Sequence, residues 1–329
     1  MFNEFNNTFT KNVVKAFENG SNEVLRRSYF TKFSDVVDTT EYNEKFNSTE
    51  GQKLPSYIVE NQTLPKVQQE KWYVSFLTSR SVADRICISK DVRLQAWDNT
   101  TSLWKHLARE IESATMWFNF FNEVEAHSIF NQWFTNLPVT NPRTGTTTIA
   151  APDTEAAFSA NHSWNSSANV WSNLLAATPL TQAVMDDANR RSKAFVDARG
   201  NEMPMYINKI YVKAGSTAEA AALKLFGAQV NNEQYRTDTQ ADLNQYAGKV
   251  DIISTPFITS DTAYFFVADM DDPRNIGIQN PWSFRFQQRP MLEGTLLQTE
   301  NLQFEYAYSQ AIKFGLVNQP LNMRGSAWV

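Results

Sequence analysis

Histidine with a carboxylate four residues away is the first pattern in this sequence that could do proton chemistry. His106 has Glu110 on its C-terminal side and His127 has Glu123 on its N-terminal side. On a helix such residues share a face, so each pair is read as a solvated ion pair rather than a catalytic dyad. His162, the third histidine, stands apart, and the three show no metal-ligand spacing. Asp269-Met270-Asp271-Asp272 resembles the start of a calcium loop, but Pro273 and Arg274 follow where a glycine and a terminal glutamate are needed. It reads as an acidic turn. Cys87, the only cysteine, lies between Ile86 and Ile88 and is expected to be buried and inert. Arg274, Arg285 and Arg289 near Trp282, Phe284 and Phe286 could stack nucleic-acid bases, yet arginine stems lying along an aromatic sheet are the commoner arrangement.

Glycine placement removes several chemistries together. The eleven glycines are never closer than Gly315 and Gly325, whereas a dinucleotide fingerprint, a phosphate loop and a nucleophile elbow each need glycines a few residues apart. No catalytic, cofactor-binding or metal-binding residue is therefore assigned, and the expectation is a protein that is not an enzyme. A net charge of −5 argues against a chain whose main task is gripping phosphate. One cysteine permits no intramolecular disulfide. The start, MFNEFNNTFTKNVV, has no signal-like apolar core and no run approaches the length needed to span a bilayer. The expectation is a chain neither secreted nor embedded in a membrane.

With 329 residues, 42% hydrophobic and 13% aromatic, there is ample material for a core. Phe2, Phe5, Phe9, Val13 and Phe17 recur at helical spacing on a polar background, as in an arm docking through an apolar stripe. Residues 72–94, WYVSFLTSRSVADRICISKDVRL, read as two strands of a projecting hairpin without a local core. Leu103, Leu107, Ile111, Ala114, Phe118 and Phe121 then mark a long helix reaching towards Leu137-Pro138. A Thr-, Asn- and Ser-rich connection covers 138–177. Beyond it, Thr178-Pro179 predicts a helix start with the helix running to about Arg199, YINKIYV predicts a strand, and Ser216 with Glu219 predicts a capping box for a helix ending at Gly227. KVDIIST and AYFFVAD are two more strands, and WSFRF (282–286) and FEYAYS (304–309) place aromatics on alternate positions, as two paired antiparallel strands would. Gly315 is expected to turn the chain and release Asn318 to Val329 as a surface tail.

A chain of this size with no legible active site and several elements lacking a partner of their own suggests assembly. AAFSANHSWNSSANVWSNLLAATPLTQAVMDDANRR (156–191), YINKIYVKAGSTAEAAALKLFG (206–227) and KVDIISTPFITSDTAYFFVAD (249–269) resemble the major head protein of Mu-like tailed bacteriophages, the gpT-type family. The order of elements over residues 60–320 resembles the broader Hong Kong ninety-seven capsid fold. The resemblance implies an α+β fold with an N-terminal arm (1–50), an E-loop region (51–96), a P domain with a spine helix (97–177), an A domain (178–275), and P-domain return strands with a C-terminal tail (276–329). It also implies self-assembly into pentamers and hexamers of an icosahedral or prolate shell around double-stranded DNA touched non-specifically. Scaffolding, portal and decoration or cement proteins would be partners, and the place would be the virion, assembled in the host cytoplasm. An encapsulin-like protein compartment is the alternative, and an enzyme with an unfamiliar site is a third reading.

Overall fold

The computed structural model describes residues 11–20, 28–47, 73–89, 102–128, 131, 134, 139–141, 145–147, 151–164, 167–227, 246–275, 279–298 and 303–326. The chain forms two compact units, one of Met1–Glu44, Leu77–Ala126 and Ser283–Gly315, the other of Lys45–Phe76, His127–Trp282 and Leu316–Val329. Phe2, Phe5 and Phe9 lie outside the described residues.

The first unit is built on a four-stranded sheet in the order Asp35–Asp38, Trp282–Gln298, Gln303–Leu316, Arg80–Ser89. The last two strands run antiparallel, pairing Tyr306 with Ile86 and Tyr308 with Asp84. Gln288 reaches Ser309 across the central pair, and Val317 N–H donates to the Pro281 carbonyl. The two contacts run in opposite directions along the strands, so this pair is antiparallel as the alternation predicted, but the register sets WSFRF beside the stretch around Phe314 and not beside FEYAYS. The helix Ser102–Ser128, about 40 Å long, covers one face with Trp104, Leu107, Ile111 and Phe118. It stops short of the expected end near Leu137. Tyr306 and Tyr308 join these side chains and Val13, Ala16 and Phe17 of the helix 11–20 in one core cluster. Phe118 meets Tyr308 edge-on at 4.7 Å. Val13 and Phe17 thus bury within their own chain. The aromatics of WSFRF go elsewhere: Phe284 contacts Phe30 at 4.4 Å and Phe314 at 5.6 Å.

The hairpin expected over 72–94 does not form. Val74–Thr78 pairs with Asn43–Asn47, whereas Arg80–Ser89 spends its hydrogen bonds on the Gln303–Leu316 strand. Two apolar runs adjacent in sequence each found a distant partner, which alternation alone cannot reveal.

The second unit centres on a sheet in the order Asp251–Thr255, Lys209–Lys213, Tyr264–Val267, Met323–Ser326. The first pair is parallel and the other two are antiparallel. The helix Gln182–Lys193 begins later and ends earlier than predicted, because Thr181, not Thr178, caps it by accepting from Val184 N–H at 3.4 Å. The Ser216–Glu219 capping box is present: Ser216 Oγ accepts from Glu219 N–H at 3.1 Å. Its helix, Thr217–Ala222, continues as a π turn to Gly227. Ile210, Val212, Ala218, Ala222, Phe226 and Phe266 form the middle of an apolar core.

The C-terminal segment is no surface tail. All four residues of Met323–Ser326 are buried in this sheet, in register with Tyr264–Val267. Gly315 makes no turn but lies within a strand, where a Cβ would stand 2.7 Å from Leu77 Cδ2. Gly325 is equally constrained, since a Cβ there would come within 2.8 Å of three Phe158 ring carbons.

Candidate assembly surfaces

The titratable side chains singled out by spacing separate into distinct environments. His106 and Glu110 are the expected solvated pair, 3.7 Å apart and mostly exposed. Glu123 and His127 are not solvated, because the last turns of the helix are sunk in their surroundings. In the first unit, Glu123 accepts from Tyr29 N–H at 2.5 Å and Phe30 N–H at 3.2 Å, satisfying the open donors of the turn Phe30–Lys32. Burial pushes its carboxyl up to about 7, against the lowering effect of those two N–H donors and of Lys32. In the second unit, His127 Nε2 lies 3.1 Å from Thr255 Oγ1.

Sequence spacing gave no sign of the Asp153–His162 pair. Both side chains are fully buried, Nδ1 to Oδ2 is 2.8 Å, and the imidazole stacks on Trp171 at 4.4 Å. Asp153 also accepts from the Glu155 and Ser163 N–H groups, so it stitches a loop to the strand His162–Trp164. His162 Nε2 is buried and has no hydrogen-bond partner among the described residues.

The Asp269–Asp272 segment is an acidic turn, as expected. Asp269 pairs with Lys209. Arg274 grips Asp272 through Nε at 2.9 Å and Nη2 at 2.6 Å and holds its carboxyl down to about 2. Among the described residues no cluster of His, Cys, Asp or Glu has metal-binding geometry. Cys87 is exposed, a correction to the sequence reading: on an edge strand, Ile86 and Ile88 take the inner face and the residue between them points outward. Nor do the arginines form a stacking platform. Trp282, Phe284 and Phe286 are buried, while Arg285 pairs with Glu44 at 3.4 Å and Arg289 lies over Phe286 with both Asp38 oxygens within 3.1 Å. A cleft of about 720 Å³ beside the helix Gln182–Lys193 is lined by Lys193, Tyr206, Lys249 and Arg274. Arg274 is already committed to Asp272.

Apolar exposure is more informative. Phe76 is 65% exposed, Trp117 63%, Tyr42 60% and Met116 57%. Val74 and Phe76 take alternate outward positions on one strand, and Met116, Trp117 and Phe120 cluster on the helix, with Trp117 and Phe120 in edge contact at 5.8 Å. Scattered exposed leucines mean little, but contiguous aromatic and Met patches mark surfaces that other molecules cover. The helix patch lies off the stripe that predicted the core. Its signal was present in the sequence as three large apolar residues that the core stripe left over.

No family model matches the chain, and no curated protein matches it. Solved structures do. A phage-related protein from Bordetella bronchiseptica is 9% identical over 94% of this chain and 96% of its own, with a TM-score of 0.51. A virus-like particle from Pyrococcus furiosus is 12% identical over 96% of this chain and 98% of its own, at 0.48. The capsid of an empty GTA particle is 9% identical over 91% and 89%, at 0.49. The Bordetella bronchiseptica likeness concerns the fold alone and agrees with the α+β fold that the sequence resemblance implied. Among the described residues no helix is long and apolar enough to cross a membrane.

Proposed function

We propose that this chain is a major head protein whose copies assemble into the closed shell of a tailed bacteriophage. A fold alone does not carry a function. The observation that carries this one is the exposure of large apolar side chains in clusters, Val74 with Phe76 and Met116 with Trp117 and Phe120, in a chain whose fold is shared with a phage-related protein. Such surfaces are costly in water unless neighbouring copies cover them. Under this reading residues 1–50 serve as the arm, 51–96 as the E-loop region, 97–177 as the P domain with Ser102–Ser128 as its spine, 178–275 as the A domain, and 276–329 as return strands and C-terminal segment. The partners are further copies of the chain, with scaffolding, portal and decoration proteins and packaged DNA, and the protein acts in the virion as a structural component.

Expression of the chain followed by sedimentation and negative-stain imaging tests the proposal. Closed particles are the expected result. A monodisperse monomer at all concentrations and ionic strengths would overturn it, and closed particles loaded with protein cargo would favour a nanocompartment instead.

A further inference from the structure

Ser113, Met116, Trp117 and Phe120 stand at i, i+3, i+4 and i+7 on the exposed side of the helix Ser102–Ser128. Four residues at that spacing outline the rhombus into which a side chain of a second helix fits when two helices pack. Three corners are large and apolar and the fourth, Ser113, is small, so the face offers both projections and a recess. Its outward side chains are solvent-exposed, Met116 at 57% and Trp117 at 63%. The opposite face of the same helix is already used by the core of its own unit.

Resting on the shell reading, we propose that this face packs against the same face of a second copy of the chain, antiparallel across a two-fold axis near Met116 and Trp117. Helix spacing makes a helix the fitting occupant, and a two-fold contact makes one patch its own partner. Charge selects the direction. Lys105, His106, Arg109 and Glu110 are exposed on the N-terminal half, so parallel packing would set Lys105 on Lys105 and Glu110 on Glu110. Antiparallel packing moves the two charged halves to opposite ends, roughly 25 Å apart at 1.5 Å per residue.

Size decides the strength. Three partly exposed side chains of this class supply at most a few hundred Å² per copy, well below the roughly 800 Å² per partner of a stable independent interface. The contact is therefore absent from dilute subunits and forms when other contacts hold two copies together.

The test uses the full chain with Cys87→Ser and one new cysteine, Trp117→Cys or His106→Cys, treated with a short bis-maleimide before and after assembly. Covalent dimers should form at position 117 in particles, and at least tenfold less in dissociated subunits or at position 106. Particles that form normally yet give only monomer at 117, or equal dimer at 117 and 106, would overturn the two-fold packing while leaving the shell reading intact. Failure of the unsubstituted chain to form particles would overturn both. A second variant, Trp117→Lys, should leave the subunit's thermal melting unchanged and lower particle yield at least tenfold; full yield would show that the face stays open.

Discussion

The sheet carrying Tyr306 and the sheet carrying Phe266 are both four-stranded and both covered by helix, but different chemistry lies against them. Around Phe266 the cluster is apolar, and buried polar side chains stand at the two edges of that sheet, Thr255 on the first strand and Arg324 and Ser326 on the last. Against the Tyr306 sheet, the buried amides of Gln310 and Asn122 exchange two hydrogen bonds, at 2.8 and 3.3 Å, across 188 residues of chain. Lys313, 1% exposed, donates to the Glu41 carbonyl and lies 3.6 Å from Glu44. Glu123 caps a turn 93 residues away. An apolar core accepts many shapes of the right volume, whereas buried polar groups accept one arrangement and are costly when a partner is lost. The second unit also buries polar pairs, Asp153 with His162 and His127 with Thr255, but the first holds in Glu123 a carboxyl that burial pushes up to about 7. The first unit's stability depends on distant segments arriving in register and on the charge state of one carboxyl.

The largest test of that contrast is Tyr306→Pro. It removes a fully buried ring and a ladder donor opposite Ile86, and it should leave little soluble protein. Phe266→Leu in the other sheet should cost about 1–3 kcal/mol and remain soluble. Soluble yield of the two variants checks this, and wild-type yield from Tyr306→Pro would show that the strand is peripheral.

Gln310→Ala comes next. It strands both amide groups of buried Asn122 and should cost about 1–3 kcal/mol in urea unfolding. Gln310→Leu combined with Asn122→Leu should recover most of that loss. A double variant no better than the single one would mean that the amides matter for shape and not for pairing.

Glu123→Gln sharpens the charge dependence. Burial raises the carboxyl to about 7 from an unfolded value near 4.5. The folded state therefore holds the proton more tightly, so stability is fully present below about pH 4.5 and is lost as pH rises through about 7. The wild type should weaken relative to Glu123→Gln across that window by at most roughly 3 kcal/mol. Parallel melting curves for the two proteins from pH 5 to 8 would contradict it. His106→Ala, breaking an exposed pair, should shift stability by less than about 0.5 kcal/mol at any of these pH values.

Local patterns in the sequence were enough for several elements. Leu107, Ile111 and Phe118 placed the long helix, Ser216 and Glu219 placed a helix start, and alternation in FEYAYS placed a strand whose tyrosines are buried, because each signal rests on backbone geometry within a few residues. Tertiary structure alone decided the rest. Arg80–Ser89 pairs with Gln303–Leu316 and not with its neighbour, which turned Cys87 outward. The expected tail became the buried strand Met323–Ser326, with Gly325 placed where Phe158 leaves no room for a side chain. Glu123 and His127 looked like a solvated pair until the surrounding chain buried both. Strand pairing, burial of polar groups and the identity of the exposed face all depend on segments tens to hundreds of residues apart, and no local period encodes which distant segment will arrive.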